Sequence, residues 1–441
     1  MQDNSRVDTL IEARWVIPAT ANAAVLENHA VAIKDKRITS ILPIDQGRNS
    51  IKADQVITLA EHALIPGLIN AHGHAPMSLF RGIADDLPLK EWLEQHIWPL
   101  ETEHVTEEFA YQGAELAIAE MLLGGTTCFA DMYFFPDAVA RAASNAHIRV
   151  QLASPILDFP TVWGQGPEEY IQKATALHDV YRNSELVYTA FGPHATYTVS
   201  DAPLQKISIL AEELDIPIHM HIHETAAEVE EAVATTGKRP LERLADLGLI
   251  SPRLLAVHGT QLSAEEMAML NTMGAHVIHC PESNLKLASG FCEVAKLMSQ
   301  GVNVALGTDG CASNNDLDMF SELRTAALLA KAVAKDASAL PAYQALQMAT
   351  INGARALGLE HSIGSIETGK FADLTAVRLD TINALPLYNP VSHLVYNTRS
   401  SQVSHVWVGG RAVVEDGNLL TLERRAIQEM ARHWQHRIKK D

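Results

Sequence analysis

Two histidines, His72 and His74, stand one residue apart at the end of the apolar run LIPGLINAHGHAPM, residues 64–77. In a strand, side chains at i and i+2 share a face, so the pair would project together from one strand end, as metal ligands do. Chance alone places roughly one such pair in a chain this rich in histidine, so the weight falls on what closes the other apolar runs. His194 follows LVYTAFGP, and IPIHMHIHE carries His219, His221, His223 and Glu224. His258 closes LLAVH, and Asp309 follows VNVALGT. One histidine at a strand end is an ordinary wall residue. His72, His74, one histidine of the strand-five group and Asp309 together suit Zn²⁺ or Fe²⁺, since three imidazoles and a carboxylate satisfy either ion.

The chemistry such a set supports is metal-assisted hydrolysis. A divalent ion brings the pKa of a coordinated water toward neutrality, Asp309 can take the water's proton, and a nearby histidine can polarise the incoming oxygen. Glu224 can protonate a ring nitrogen or leaving group. His62, His104, His147, His178, His361, His393 and His405 lie in helical or β contexts without partners and read as packing or surface residues. His276 and His279 are three apart, on opposite faces of one strand, so only His279 can face the strand ends, as a pocket-wall candidate.

These residues require a scaffold that brings many strand ends to one level. Eight short apolar runs recur before polar or Gly-rich turns, most separated by stretches of helical periodicity such as TEEFAYQGAELAIAEMLLGG and SAEEMAMLNTMG. Alternating strands and helices imply parallel βαβ units. Eight of them indicate a closed (β/α)8 TIM-like barrel over residues 61–364, whose active site lies at the C-terminal mouth. An open doubly wound sheet would carry a Gly-rich phosphate loop after its first strand, where this chain has INAHGHAP. The segments 1–60 and 365–441 alternate apolar and polar residues around KDKR and Gly-Gly turns, which predicts a small β-sandwich domain built from both termini.

The formal net charge of −19 argues against nucleic acid or an anionic membrane surface as partner. Four cysteines without a C-x-x-C pair, and an N-terminus MQDNSRVDTL without the layout of a signal peptide, point to a reducing, cytoplasmic setting. No apolar run reaches the length of a membrane span.

The motifs PGLINAHGHAPMSLFRG, GPHATYTVS, HETAAEVE, AVHGT, CPESNLKLASG, GTDGCASNNDLDMFSELR and IGSIETGKFADLTAV together resemble the amidohydrolase superfamily. Within it they look most like the methylthioadenosine / S-adenosylhomocysteine deaminases. The resemblance implies that His72, His74, His221 and Asp309 hold a single metal ion, usually zinc, and that Asp309 also deprotonates the water. It implies that Glu224 protonates purine N1 and that His258 orients and polarises the nucleophile. Glu101 in WPLE then matches the acceptor of the ribose hydroxyls, His194 a second nucleoside contact, and Trp92 in LKEWL an aromatic wall. The reaction implied is hydrolytic attack at C6 of an adenine ring with loss of ammonia.

No lysine closes strand four, so a carbamylated bridge between two metals is not expected. A homo-oligomer is expected by analogy with other metabolic enzymes of such folds. The competing readings are a hydrolase of this fold acting on a guanine, pterin, cytosine or chlorotriazine ring, and a metal-dependent binding protein without turnover. For the substrate, no basic residue lies between Arg149 and Lys173, while Asp158, Phe159, Val162 and Trp163 fill that loop. A homocysteine carboxylate would call for Arg or Lys there, so the short thioether of methylthioadenosine is the expected preference, with Arg81 and Lys90 as the residues able to reverse it.

Overall fold

The structure, a computed structural model, describes residues 6–22 and 24–439. The first residues of the N-terminal segment read above for a targeting signal, 1–5, and the end of the β segment, 440–441, lie outside the described residues.

Both chain ends contribute to one eight-stranded mixed sheet. From the N-terminal side come β1 (Arg6–Val16), β2 (Leu26–Lys34), β3 (Arg37–Pro43) and β4 (Lys52–Pro66). The KDKR turn between β2 and β3 has Asp35 and Lys36 at φ 48° and 71°, the paired positive φ values of a two-residue hairpin loop whose twist matches its strands.

The barrel strands follow: β5 (Leu68–Asn70), β6 (Thr126–Asp131), β7 (Arg149–Ile156), β8 (Val187–Pro193), β9 (Ile218–Ile222), β10 (Leu254–His258), β11 (His276–His279) and β12 (Asn303–Leu306). They pair in parallel in chain order, and nearly every residue in them is buried, as expected of strands covered on both faces. β5 and β12 meet through single bonds: Ala71 N–H donates to the Leu306 carbonyl at 2.8 Å, and Asp309 N–H to the His72 carbonyl at 3.0 Å. That seam brings the H-x-H segment against the GTDG segment.

The run ALIPGLINAH divides between the two sheets. β4 ends at Pro66 in the mixed sheet and β5 starts at Leu68 in the barrel. Gly67 makes the crossing, where a Cβ would fall 2.0 Å from the Thr127 hydroxyl. Both stretches with helical periodicity are helices. Glu107–Leu123 is capped by Thr106, and Ala264–Met273 starts at a Ser263–Glu266 capping box and stops at Gly274, φ 73°.

The mixed sheet is completed by β13 (Leu374–Arg378), β14 (Val403–Val408), β15 (Arg411–Glu415) and β16 (Asn418–Leu419), with β13 pairing to β4. A buried ion pair ties the sheet to the barrel: Arg149 Nε and Nη2 meet the two Asp373 oxygens at 2.6 and 2.9 Å, and Gly409 N–H caps the same carboxylate. Arg149, at the first residue of β7, is therefore committed far from the strand C-termini. No described helix is long and apolar enough to cross a membrane.

Candidate active site

β5 ends at Asn70, so His72 and His74 lie just past the strand rather than on it. Their rings still converge, because the seam with β12 holds the segment: His72 Nε2 is 3.3 Å and His74 Nε2 3.1 Å from Asp309 Oδ1. Gly307 permits the approach, since a Cβ there would stand 2.8 Å from the His72 Cβ and amide nitrogen. Asp309 itself adopts φ 63° and His258, the last residue of β10, φ 75°. Such left-handed conformations cost a non-glycine residue about 1–3 kcal/mol and persist where surrounding structure over-determines them.

The strand-five histidines separate by depth. On β9, His221 faces the mouth, and its ring centroid is 5.0 Å from that of His72. His219, one pleat deeper, meets His72 from below, Nε2 to Nδ1 at 2.8 Å. His223 lies beyond the strand end at φ 56°, turned away so that its Nε2 accepts from Leu241 N–H at 3.2 Å.

The tautomers follow from the partners. His74 Nδ1 meets the Met132 carbonyl at 2.6 Å, His221 Nδ1 the His194 carbonyl at 2.8 Å, and His258 Nδ1 the Asn284 amide oxygen at 2.8 Å. A carbonyl only accepts, so each Nδ1 carries a proton and Nε2 is the nitrogen each ring turns to the centre, the one free to bind a metal once it is unprotonated. His72 Nε2 is fully buried, close to Asp309 but without a hydrogen bond in line. Tetrahedral zinc ligands lie about 3.3 Å apart when metal–ligand bonds are about 2.0–2.1 Å, which is the separation of these donors from Asp309. His72, His74 and Asp309 can therefore hold an ion, and so can His72, His221 and His258, whose donor atoms also lie within 4.8 Å of one another.

Electrostatics favour positive charge at that point. Burial opposes a charge on His74, yet Asp309 outweighs it and draws the imidazole up to about 9. Burial likewise opposes ionisation of Asp309, and its contacts with His72 and His74 override that, holding the carboxyl well below its usual range. Asp309 Oδ2 also accepts from the Ser283 and Ser313 hydroxyls at 2.7 and 3.0 Å. Glu224 behaves oppositely: burial pushes its carboxyl up, toward the protonated form, and its Oε2 is 3.7 Å from His258 Nε2.

Above this centre opens a pocket of about 230 Å³. Of the residues singled out in the sequence, His74, Trp92, Glu101, His194, His221, Glu224, His258 and Asp309 line it, and His72 lies beneath. Burial raises the Glu101 carboxyl to about 7. His279 does not line the pocket; it is buried in the strand layer, so its pocket-wall reading is not met. Sequence reasoning passed over Trp98, Tyr133 and Tyr197 in the wall, and Asn284 behind His258. Tyr133 and Tyr197 follow the ends of β6 and β8 closely, which is the signal that could have found them.

The amidohydrolase family profile matches residues 63–413. The chain is 51% identical over 438 residues to the 5-methylthioadenosine/S-adenosylhomocysteine deaminase of Teredinibacter turnerae, covering 99% of each chain. It is 40% identical over 422 residues to the 5′-deoxyadenosine deaminase of Methanothermobacter thermautotrophicus, covering 94% of this chain and 96% of the other. Among solved structures it is similar to a zinc-bound adenosine deaminase from Xanthomonas campestris, at a TM-score of 0.98 and 49% identity, covering 99% of this chain and 100% of that one. A barrel whose strand ends gather these histidines around one aspartate, matched along nearly its whole length by such relatives, belongs to the amidohydrolase family.

Proposed function

We propose that this protein is a metal-dependent deaminase of adenosine-type nucleosides, with 5′-methylthioadenosine as its preferred substrate. The observation that carries the reading is the convergence of His72, His74, His221 and Asp309 beneath a pocket that also presents Glu224, His258 and Glu101. The names of the relatives, deaminases of methylthioadenosine, S-adenosylhomocysteine and 5′-deoxyadenosine, support the substrate class. In this reading residues 61–364 form the catalytic unit, except that the end of β4, residues 61–66, pairs within the β companion of 1–60 and 365–441.

His72, His74, His221 and Asp309 hold one divalent ion, and the zinc of the Xanthomonas structure favours zinc. When bound, the ion supplies Lewis acidity that makes a water a competent nucleophile near neutral pH. Asp309 takes the proton of the attacking water as the new C6–O bond forms. Glu224, whose carboxyl burial shifts toward the protonated form, delivers a proton to N1, so that charge does not build up on the ring. His258, its Nδ1–H fixed by Asn284, offers Nε2 to the attacking oxygen. As the C6–N bond breaks, the proton held by Asp309 leaves with ammonia, the remaining hydroxyl proton passes to the Glu224 carboxylate, and a 6-oxo purine is left with the acid restored. Glu101 accepts from the ribose hydroxyls, His194 makes a second nucleoside contact, and Trp92 walls the base.

The pocket lining supports the short 5′ substituent. No lysine or arginine lines the pocket among the described residues, while Phe159, Pro160 and Val162 do. Arg81 is held by Glu120 and by the Asn315 carbonyl at 2.8 Å, and Lys90 faces a separate hollow beyond Leu93 and Trp98. Absorbance-monitored deamination of methylthioadenosine, S-adenosylhomocysteine and adenosine, with ammonia release from guanine, tests the proposal. Methylthioadenosine should show the highest kcat/KM. Equal efficiency on S-adenosylhomocysteine would overturn the tail argument, and inertness of every adenosine analogue would overturn the substrate class.

A further inference from the structure

The Glu224 carboxyl is almost without support of its own: among the described residues its one close polar contact is His258 Nε2 at 3.7 Å. A group that must give up and regain a proton is served by that freedom, but its position then depends on its backbone. The backbone is held from two sides. On one side, the Glu228 carboxylate accepts both consecutive amides of the turn, His223 N–H on Oε1 at 3.2 Å and Glu224 N–H on Oε2 at 2.7 Å. On the other, Thr260 donates its hydroxyl to the Glu224 carbonyl at 2.7 Å and its N–H to the His223 carbonyl at 3.0 Å. Between these clamps His223 takes the left-handed conformation that swings Glu224 toward the pocket.

Glu228 is in turn fixed at the start of the helix Ala226–Thr236, where the Thr225 hydroxyl accepts its N–H at 3.2 Å. From the third position of that helix the half-buried carboxylate reaches past the N-cap residue Thr225 to the amides of the catalytic turn. We infer that Glu228 is a positioning residue for the proton-transferring Glu224, acting through the paired amides of residues 223 and 224 rather than through substrate or metal. The inference rests on the reading of Glu224 as the N1 acid. Two converging donors require two acceptor oxygens; a glutamine would offer one oxygen and turn its own N–H₂ against the second amide.

The test is a double-mutant cycle on metal-loaded protein with Glu228→Gln, Glu224→Gln and the pair, reading kcat, KM and metal content. Glu228→Gln should lower kcat by about 10²-fold, the scale of an ångström of misplacement, with KM and metal content retained. In Glu224→Gln the further change Glu228→Gln should cost little, because the residue it positions is already inert. Undiminished kcat in Glu228→Gln, a loss confined to KM, or losses that multiply in the pair would each overturn the inference. Full activity of Glu224→Gln would instead remove the acid reading on which it rests. If Glu228→Gln does not fold, Glu228→Asp carries the same cycle: it keeps both oxygens but one methylene less reach, and should lose about tenfold in kcat without a change in KM.

Discussion

His72 Nδ1 meets His219 Nε2 at 2.8 Å in the fully buried layer beneath the converging donors. The contact joins the first barrel loop to the fifth strand and fixes the ring angle at which His72 presents Nε2. Partners of this kind typically hold metal affinity by a factor of 10–100. His219→Phe should therefore weaken zinc binding by about that factor while leaving the fold intact. Competition against a chromogenic chelator measures it, and unchanged affinity would show that His72 is oriented by packing alone.

His221 and His258 both place Nε2 within reach of the same point, yet the proposed mechanism gives them different work. His221→Ala should lose metal on dialysis. His258→Ala should keep it and lose turnover by about 10²-fold or more, as expected when a transition-state hydrogen bond is removed. Metal content by elemental analysis separates the two, and loss of metal in both variants would make His258 a ligand.

His62 lies in the mixed sheet, away from the pocket, with both ring nitrogens buried and unpartnered. Burial, reinforced by Arg378 and His405, lowers its pKa to about 4, whereas an unfolded chain titrates it near 6.5. Below pH 6.5 the unfolded chain binds a proton that the folded one refuses, so stability is lost as pH falls from 6.5 toward 4. His62→Phe removes this contribution. The variant should gain stability relative to the parent across that window and show no pH-dependent gain between pH 7 and 8, as read from urea midpoints.

Asp373→Ala should be severely destabilising. It leaves Arg149 charged and buried beside the Phe371 ring, with the Glu185 carbonyl as its remaining strong acceptor. Breaking one side of such a pair costs about 3–5 kcal/mol. Chemical denaturation checks the magnitude, and a loss under about 1 kcal/mol, the scale of an exposed pair, would mean that water reaches Arg149.

Period and punctuation were enough to read the barrel. Each apolar run is the length of a strand, helix signals such as Thr106 and the Ser263–Glu266 box stand between runs, and the two ends share hairpin chemistry. Residue type at the strand ends was equally legible, since chemistry in such a barrel collects there and His72, His194, His258 and Asp309 stand at or just past those ends. Alternation could not choose among His219, His221 and His223, because all three share one face by period. Depth in the pleat and the left-handed turn at His223 separate them, and both depend on neighbours far along the chain. The same holds for the splitting of ALIPGLINAH at Gly67, decided by Thr127, and for His279, which the packed strand layer withholds from the pocket. The sequence by itself determined which strand ends carry titratable side chains. Only the tertiary structure decided which nitrogen each histidine turns toward the centre, because that depends on carbonyl and amide partners such as Met132, His194 and Asn284 that no local pattern specifies.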